Sequence, residues 1–464
     1  MVGKAKRNQR TRAALLSIIV IGCLLTAPVA RASNASLFAD LTPGSSGTKP
    51  YYIVPVGGGE FFFIGDDPSH GTELWHSDGT PGGTAVARDI VPGAEGSDPD
   101  FLTRYHGKLL FAGTDPVHGT ELWRSDGTRH GTRPVADIVP GPGSSYPASL
   151  TRVGDQVFLT VATPASGMEL WRTDGTAAGT RLVRDINPGP VNSIPTDLTA
   201  VGKRLYFFVD KPIPGLWRSN GTESGTFHVP HGVPGSDLTN VRGTAYYSGF
   251  TQQTGQELWR SDGTRGGTAL VRDIRSGGGD LGSSFPEFLA NVHGNLFLQA
   301  NDGTHGTELW ASDGTKPGTR MVRDVWPGSG GAQAAYITAS ASRAFYVSVT
   351  AAYGAELWSS DGTAKGTRLV RDIAPGGADL GRSGSSDPHS LVNVHGTLFF
   401  AANDRTRGME LWRSGGKPLD ARMVGGIRPG PAGSRPTSLS NLDGTLIFSA
   451  NDGIHGAELW TATP

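Results

Sequence analysis

Short runs of apolar and β-branched residues, each closed by Gly, Pro, Asn or Asp, follow one another along most of the chain. No stretch beyond the first 32 residues keeps a 3.6-residue apolar period. Residues 145 to 189 show the pattern in full: PASLTRV, a turn at Gly154-Asp155, QVFLTVA, a turn from Pro164 to Gly167, MELWRT, and TRLVRDI. This predicts four strands joined as successive hairpins. In the equivalent run ELWRS, Glu121 and Trp123 point to one side and Leu122 to the other, so both sides need cover. A sheet sandwiched between two like sheets supplies it. One buried Trp per unit hides roughly 150 to 250 Å², a gross hydrophobic gain of roughly 4 to 6 kcal/mol.

The unit repeats. Trp75, Trp123, Trp171, Trp217, Trp259, Trp310, Trp358, Trp412 and Trp460 recur at intervals of about 48 residues, a period that belongs to propellers or solenoids. The phrase SDGTxxGT, which follows most of these Trp residues, reads as the hairpin between third and fourth strands. In it Asp126 accepts hydrogen bonds from the turn backbone, Gly127 takes positive φ and Thr128 adds a hydroxyl cap. The fourth strand ends in a DIxPG-like phrase, as at Asp185 to Gly189, where Pro and Gly stop pairing.

The two ends of the repeat array are complementary. Residues 36 to 44, SLFADLTPG, match a fourth strand alone, and the last unit stops after its third strand at ELWTATP. An open solenoid has no use for such halves, whereas a ring that shares its last sheet between the termini does. The expectation is an all-β propeller of about nine four-stranded blades. It occupies residues 33–464 as one domain, with residues 36–44 completing the last blade.

ELWRSDGT and its copies resemble the bacterial ELWxxDGT repeat family, regarded as β-propeller-like, over essentially the whole chain after residue 32. Six copies keep S/T-D-G-T. The fourth has Asn220-Gly221-Thr222 and lacks the Glu, and the eighth departs with Ser414-Gly415-Gly416. The resemblance implies no enzymatic activity and adds no catalytic residue.

Composition fits this reading: 68 Gly and 31 Pro fall at fixed offsets as turns instead of marking low complexity. Residues 1–32 read as a signal peptide, with basic residues from Lys4 to Arg12, the apolar run AALLSIIVIGCLL, and Ala30-Arg31-Ala32. Export, to the medium, the cell surface or the periplasm, is the expectation, with no membrane span in the mature chain. V-I-G-C around Cys23, the only cysteine, loosely resembles a lipoprotein cleavage site and offers a minor alternative. After cleavage at Ala32 neither disulfides nor thiolate metal sites support the fold. The leader holds six of the 41 Lys and Arg and none of the 42 acids, so the remainder is net negative, which disfavours nucleic acid.

Candidate chemistry is sparse. No nucleophile elbow, zinc-protease motif, phosphate loop or dinucleotide fingerprint appears. A recurring D-x-x-H-G pairs Asp67 with His70, Asp115 with His118, Asp302 with His305 and Asp452 with His455. With two ligands per loop these are expected to be hairpin stabilisers, not metal sites. No cofactor is expected, although calcium stays open because carbonyls and waters could complete an Asp-based site. The repeated Glu, often with a repeated Arg nearby, reads as structural ion pairs or hydrogen bonds. Where the repeat breaks, His228, His231, Asp280, Asp379, Asp387 and His389 are ligand-binding candidates. The expectation is a monomeric binding or interaction scaffold for an extracellular glycan or protein. A polymer-cleaving lyase or hydrolase with its site at the loop-rich mouth is the alternative.

Overall fold

Because each unit writes four strands with tight turns, each folds as one up-and-down antiparallel sheet. In the computed structural model nine such sheets form a nine-bladed β-propeller. Residues 35–376 and 384–464 are described, except the side chain of Asp280. The signal-peptide reading of residues 1–32, with Cys23, and the candidate Asp379 lie outside them. Two short 3-10 turns, Pro81–Gly83 and Asp280–Gly282, are the helical elements among the described residues. No helix there is long and apolar enough to cross a membrane.

The third blade shows how closely local sequence fixes strand limits. Its strands are Ala148–Val153, Gln156–Thr163, Gly167–Thr173 and Arg181–Arg184, so the first lacks only Pro147 of PASLTRV and the fourth is clearly shorter than TRLVRDI suggested. Its last residues leave the sheet because their backbone N–H groups turn to another acceptor, the Glu described below. The innermost strand of each blade touches those of both neighbours, and the first blade's Tyr51–Gly57 meets the ninth blade's Thr437–Leu442, which closes the ring.

The core is a set of layers between blades. Val56, Leu74 and Ile90 of the first blade pack on Leu109, Phe111 and Trp123 of the second. The same arrangement sets Leu258 and Ile274 against Leu298 and Trp310. Trp123 is 1% exposed and Trp310 3%, so the repeated indoles are interblade anchors.

In most blades a buried Glu then ties its own blade to the next, as at Glu73. Glu73 accepts hydrogen bonds from the backbone N–H of Ile90 at 3.1 Å and of Val91 at 3.2 Å, and from Ser97 Oγ at 2.6 Å. These bonds offset the cost of burying the carboxylate. Of the two expected roles, ion pair or hydrogen bond, the repeated Glu takes the hydrogen bond, and no Arg–Glu ion pair occurs among the described residues. The fourth-strand arginines reach forward to a backbone carbonyl of the following blade, Arg88 to Thr132 at 2.8 Å and Arg323 to Thr367 at 2.7 Å.

Ring closure uses the same parts. Ser36–Ala39 pairs antiparallel with Ala457–Ala462 as the fourth strand of the ninth blade. Glu458 accepts from Thr48 N at 2.9 Å and Thr48 Oγ1 at 3.1 Å, gripping the segment that leads into the first blade. Phe38 and Leu41 pack beside Trp75 and Leu459 in the layer between ninth and first blades.

Candidate functional site

Alternating hairpins sort the loops onto two faces. The SDGT hairpins share one, the turn face, with the turns between first and second strands. The second-to-third-strand turns and the interblade links form the other, the link face.

On the turn face the side chains satisfy their own backbone. Asp126 Oδ1 accepts from Thr128 N at 3.1 Å and from Thr128 Oγ1 at 2.7 Å. Thr128 Oγ1 in turn accepts from Gly131 N at 2.9 Å, and Ser125 Oγ meets Thr132 Oγ1 at 2.7 Å. Gly127 has φ +87°. Hydrogen bonds from Thr128 hold the Asp126 carboxyl below its ordinary pKa.

On the link face the Asp–His pairs close hairpins in the same manner. His70 Nδ1 lies 2.7 Å from Asp67 Oδ2, His118 2.9 Å from Asp115, His305 2.7 Å from Asp302 and His455 2.6 Å from Asp452. In each loop the aspartate also accepts two backbone N–H groups, as Asp67 does from Ser69 and His70. Burial raises the Asp67 carboxyl, but these bonds outweigh it and leave the pKa lowered. In the eighth blade Arg407, which is no metal ligand, takes the His position and meets Asp404 at 2.9 Å. In the third blade a hydroxyl pair, Thr163 with Ser166 at 2.9 Å, does so. No group of three or more His, Cys, Asp or Glu that could hold a metal occurs among the described residues.

The surface with free side chains lies where the link enters the innermost strand. Six of the blades begin that strand with a pattern S-x-P-y-z, as in Ser97-Asp98-Pro99-Asp100-Phe101, Ser145-Tyr146-Pro147-Ala148-Ser149 and Ser193-Ile194-Pro195-Thr196-Asp197; the first has Thr48-Lys49-Pro50-Tyr51-Tyr52 and the seventh Ala332-Gln333-Ala334-Ala335-Tyr336. The fifth blade has Val233-Pro234-Gly235-Ser236-Asp237 there. The Ser is buried because it donates to the repeated Glu. Position z is left-handed in all nine blades, from Tyr52 at φ 49° to Asp237 at φ 62°, and x is left-handed in the other eight. A non-glycine residue held there is strained. The strain accompanies a bulge: Asp100 faces Ala112 but Thr103 faces Leu110, so one extra residue is taken up at Phe101 and Leu102.

The side chains at x, y and z are therefore turned outward around the axis. Of the large exposed hydrophobics, Tyr51, Tyr52, Phe101, Tyr146, Ile194, Phe285, Phe288 and Tyr336 all occupy these positions. At z the order around the ring is Tyr52, Phe101, Ser149, Asp197, Asp237, Phe288, Tyr336, Ser390, Ser438. Aromatics of the first two blades thus face those of the sixth and seventh across the axis, with arcs of Asp and Ser between. Phe288 and Tyr336 are ring neighbours at 5.8 Å. Asp197 Oδ2 accepts from Leu238 N at 2.7 Å, and Asp237 Oδ2 from Leu289 N at 3.1 Å. Burial raises both carboxyls, and the neighbouring Asp237 charge adds to the rise at Asp197.

Two of the candidates from the broken repeats belong to this mouth. Asp387 is an x residue with φ 47°, and its carbonyl lies 3.0 Å from Nδ1 of the y residue His389. His228 sits instead on the outermost strand of the fourth blade, its Nε2 3.0 Å from Gly232 O, and His231 is in the link beyond it. Asp280 begins a 3-10 turn in the link before the sixth blade. Sequence reasoning missed the aromatic ring. Its signal was present: most aligned copies keep Ser and Pro while the set x, y and z varies from blade to blade.

No family model matches the sequence, and no curated protein matches it. Solved structures are similar in fold. They include a puromycin hydrolase at 17% identity and TM-score 0.39, with 80% of this chain and 61% of that chain covered. The computationally designed Ika8 protein has 13% identity and TM-score 0.42, with 92% and 99% covered. BamB from Moraxella catarrhalis has 12% identity and TM-score 0.34, with 67% and 80% covered. The chain spans 58% and 61% of the two puromycin hydrolase chains it resembles.

Proposed function

We propose that this protein is an exported, monomeric carbohydrate-binding propeller whose ligand sits at the axial mouth of the link face. The observation that carries this reading is the z ring: two exposed aromatic pairs opposed across the axis, with carboxylates and hydroxyls between them. Planar rings stack on the apolar faces of sugars, while Asp and Ser accept and donate to hydroxyl groups. Rigid blades hold these groups in place before the ligand arrives, which lowers the entropy cost of binding. No nucleic acid and no cofactor enters this reading.

Titration calorimetry with neutral cello-, xylo- and chito-oligosaccharides tests it. Wild type is expected to bind one of these series, and a variant carrying Tyr52→Ser, Phe101→Ser, Phe288→Ser and Tyr336→Ser is expected to lose it while melting at the same temperature. Equal binding by wild type and variant, or none by wild type, refutes the proposal.

The adjacent Asp197 and Asp237, both with raised carboxyl pKa, favour one second reading, cleavage of the bound polymer by a protonated acid. Under it, product release from a bound oligosaccharide stops in Asp197→Asn with Asp237→Asn, and binding survives.

A further inference from the structure

The strand ends that flank the turn-face hairpins carry a series of arginines, among them Arg124, Arg133, Arg172, Arg181, Arg413 and Arg422. The turn-face acids are moreover engaged in hairpins, as Asp126 and Asp174 are with Thr128 and Thr176.

Three blades concentrate this charge. On adjacent third and fourth strands Arg124 stands directly opposite Arg133, Arg172 opposite Arg181, and Arg413 opposite Arg422. Like charges in that position repel. Each pair lines its own cavity: 490 Å³ in the second blade with Lys108 and His130, 290 Å³ in the third, and 560 Å³ in the eighth with Arg371 and Lys417. None of the six paired arginines joins an ion pair among the described residues. The Nε atoms of Arg172 and Arg413 are buried with no hydrogen-bond partner. Burial, then the charge of Arg422, lower the pKa of Arg413.

The eighth blade is the one whose hairpin abandons SDGT. There Asp420 takes over the turn, accepting from Ser414 Oγ at 2.5 Å, Gly415 N at 3.0 Å and Lys417 N at 3.0 Å. The aspartate is thereby engaged by the turn although it lines the cavity beside Arg413 and Arg422, and the loop adds Lys417. Asp126, Asp174 and Asp420 also line these cavities, but each is engaged by its own turn and none pairs with the arginines among the described residues, so two guanidinium forks can bind the oxygens of an oxyanion together.

We propose that these three arginine pairs are oxyanion sites through which the turn face binds an anionic polysaccharide bearing carboxylate or sulfate groups. Three separate recessed sites on one face suit a chain that places successive acidic groups in several of them. Leu419 is the large exposed hydrophobic of these hairpins, which leaves little apolar surface for insertion into a bilayer. The site lies opposite the axial mouth and does not depend on it.

The test compares wild type with Arg133→Gln/Arg181→Gln/Arg422→Gln, which removes the exposed member of each pair. Probes are polygalacturonate and dextran sulfate, with neutral dextran and phosphatidylglycerol vesicles as further arms, at low and high salt. Wild type is expected to bind at least one polyanion in a salt-sensitive manner and to ignore dextran. The variant is expected to bind about tenfold or more weakly and to melt at the same or a higher temperature, since repulsion has been relieved. A lower melting temperature with unchanged polyanion binding makes the arginines structural and overturns the proposal. Failure of wild type to bind either polymer, or binding to the vesicles alone, also overturns it. The axial mouth variant is expected to bind both polyanions as wild type does, so failure of one proposal is separable from failure of the other.

Discussion

The SDGT hairpin and the start of the innermost strand are both written about once per blade, yet the first hardly varies and the second changes at nearly every copy. In the hairpin, the Asp and Thr side chains are fully used by their own turn, as the closed set of bonds around Asp126 and Thr128 shows. Changing them breaks the turn. At the strand start the turn is held by the buried Ser, the Pro and the repeated Glu, and most side chains at x, y and z stay outside that set of bonds, Asp197 and Asp237 being the z residues that cap the next blade. Invariance here marks a backbone requirement, and variation beside it marks side chains free for a ligand.

The comparison predicts effects of graded size. The largest comes from breaking the scaffold behind both regions. Deleting residues 33–44 removes the fourth strand of the ninth blade, leaves the third strand as an exposed edge and strips Phe38 and Leu41 from the layer beside Trp75. A clear fall in melting temperature and concentration-dependent association are expected in calorimetry and light scattering. An unchanged melting temperature with a monodisperse monomer contradicts the shared blade.

A smaller effect distinguishes the buried glutamates from the hairpin aspartates through pH. Burial pushes Glu257, Glu308 and Glu356 up to about 7. Their folded value lies above the unfolded one, so their contribution is fully present below the ordinary glutamate range and is lost as pH rises through 7. Asp126, Asp174 and Asp313 are held below the ordinary range by hydrogen bonds from the turn threonines. Their contribution is present above the unfolded aspartate value and is lost as pH falls through the folded one. Stability should therefore peak at about pH 4 to 5. Melts across this range check it, and Glu308→Gln should flatten the alkaline limb. A maximum above pH 7 contradicts the assignment.

The smallest effect compares the two regions directly. Asp126→Ala is expected to cost about 1 kcal/mol, because backbone and hydroxyl donors lose their acceptor. Tyr52→Ser is expected to change stability by less than about 0.5 kcal/mol, because the ring is largely exposed. Paired denaturant titrations decide it, and a Tyr52 effect larger than that of Asp126 reverses the comparison.

The sequence by itself determined the blade. Strand limits, turn chemistry, the anchoring Trp and the match between SLFADLTPG and the unfinished last unit are local or periodic, because they depend on neighbours a few residues away or on copies of themselves. Tertiary structure decided the rest. That Glu73 serves backbone N–H groups and Ser97, while Arg88 reaches the next blade, follows from which chain segments the ring brings together. Local spacing carries no such information. The aromatic mouth was hidden because alternation along a strand assigns sides only while the strand is regular, and the left-handed residue at z breaks that alternation in every blade. The arginine pairs were hidden for a related reason: Arg413 and Arg422 look like ordinary surface charges until strand register sets them opposite each other. A charge acquires a partner only when folding decides what stands beside it.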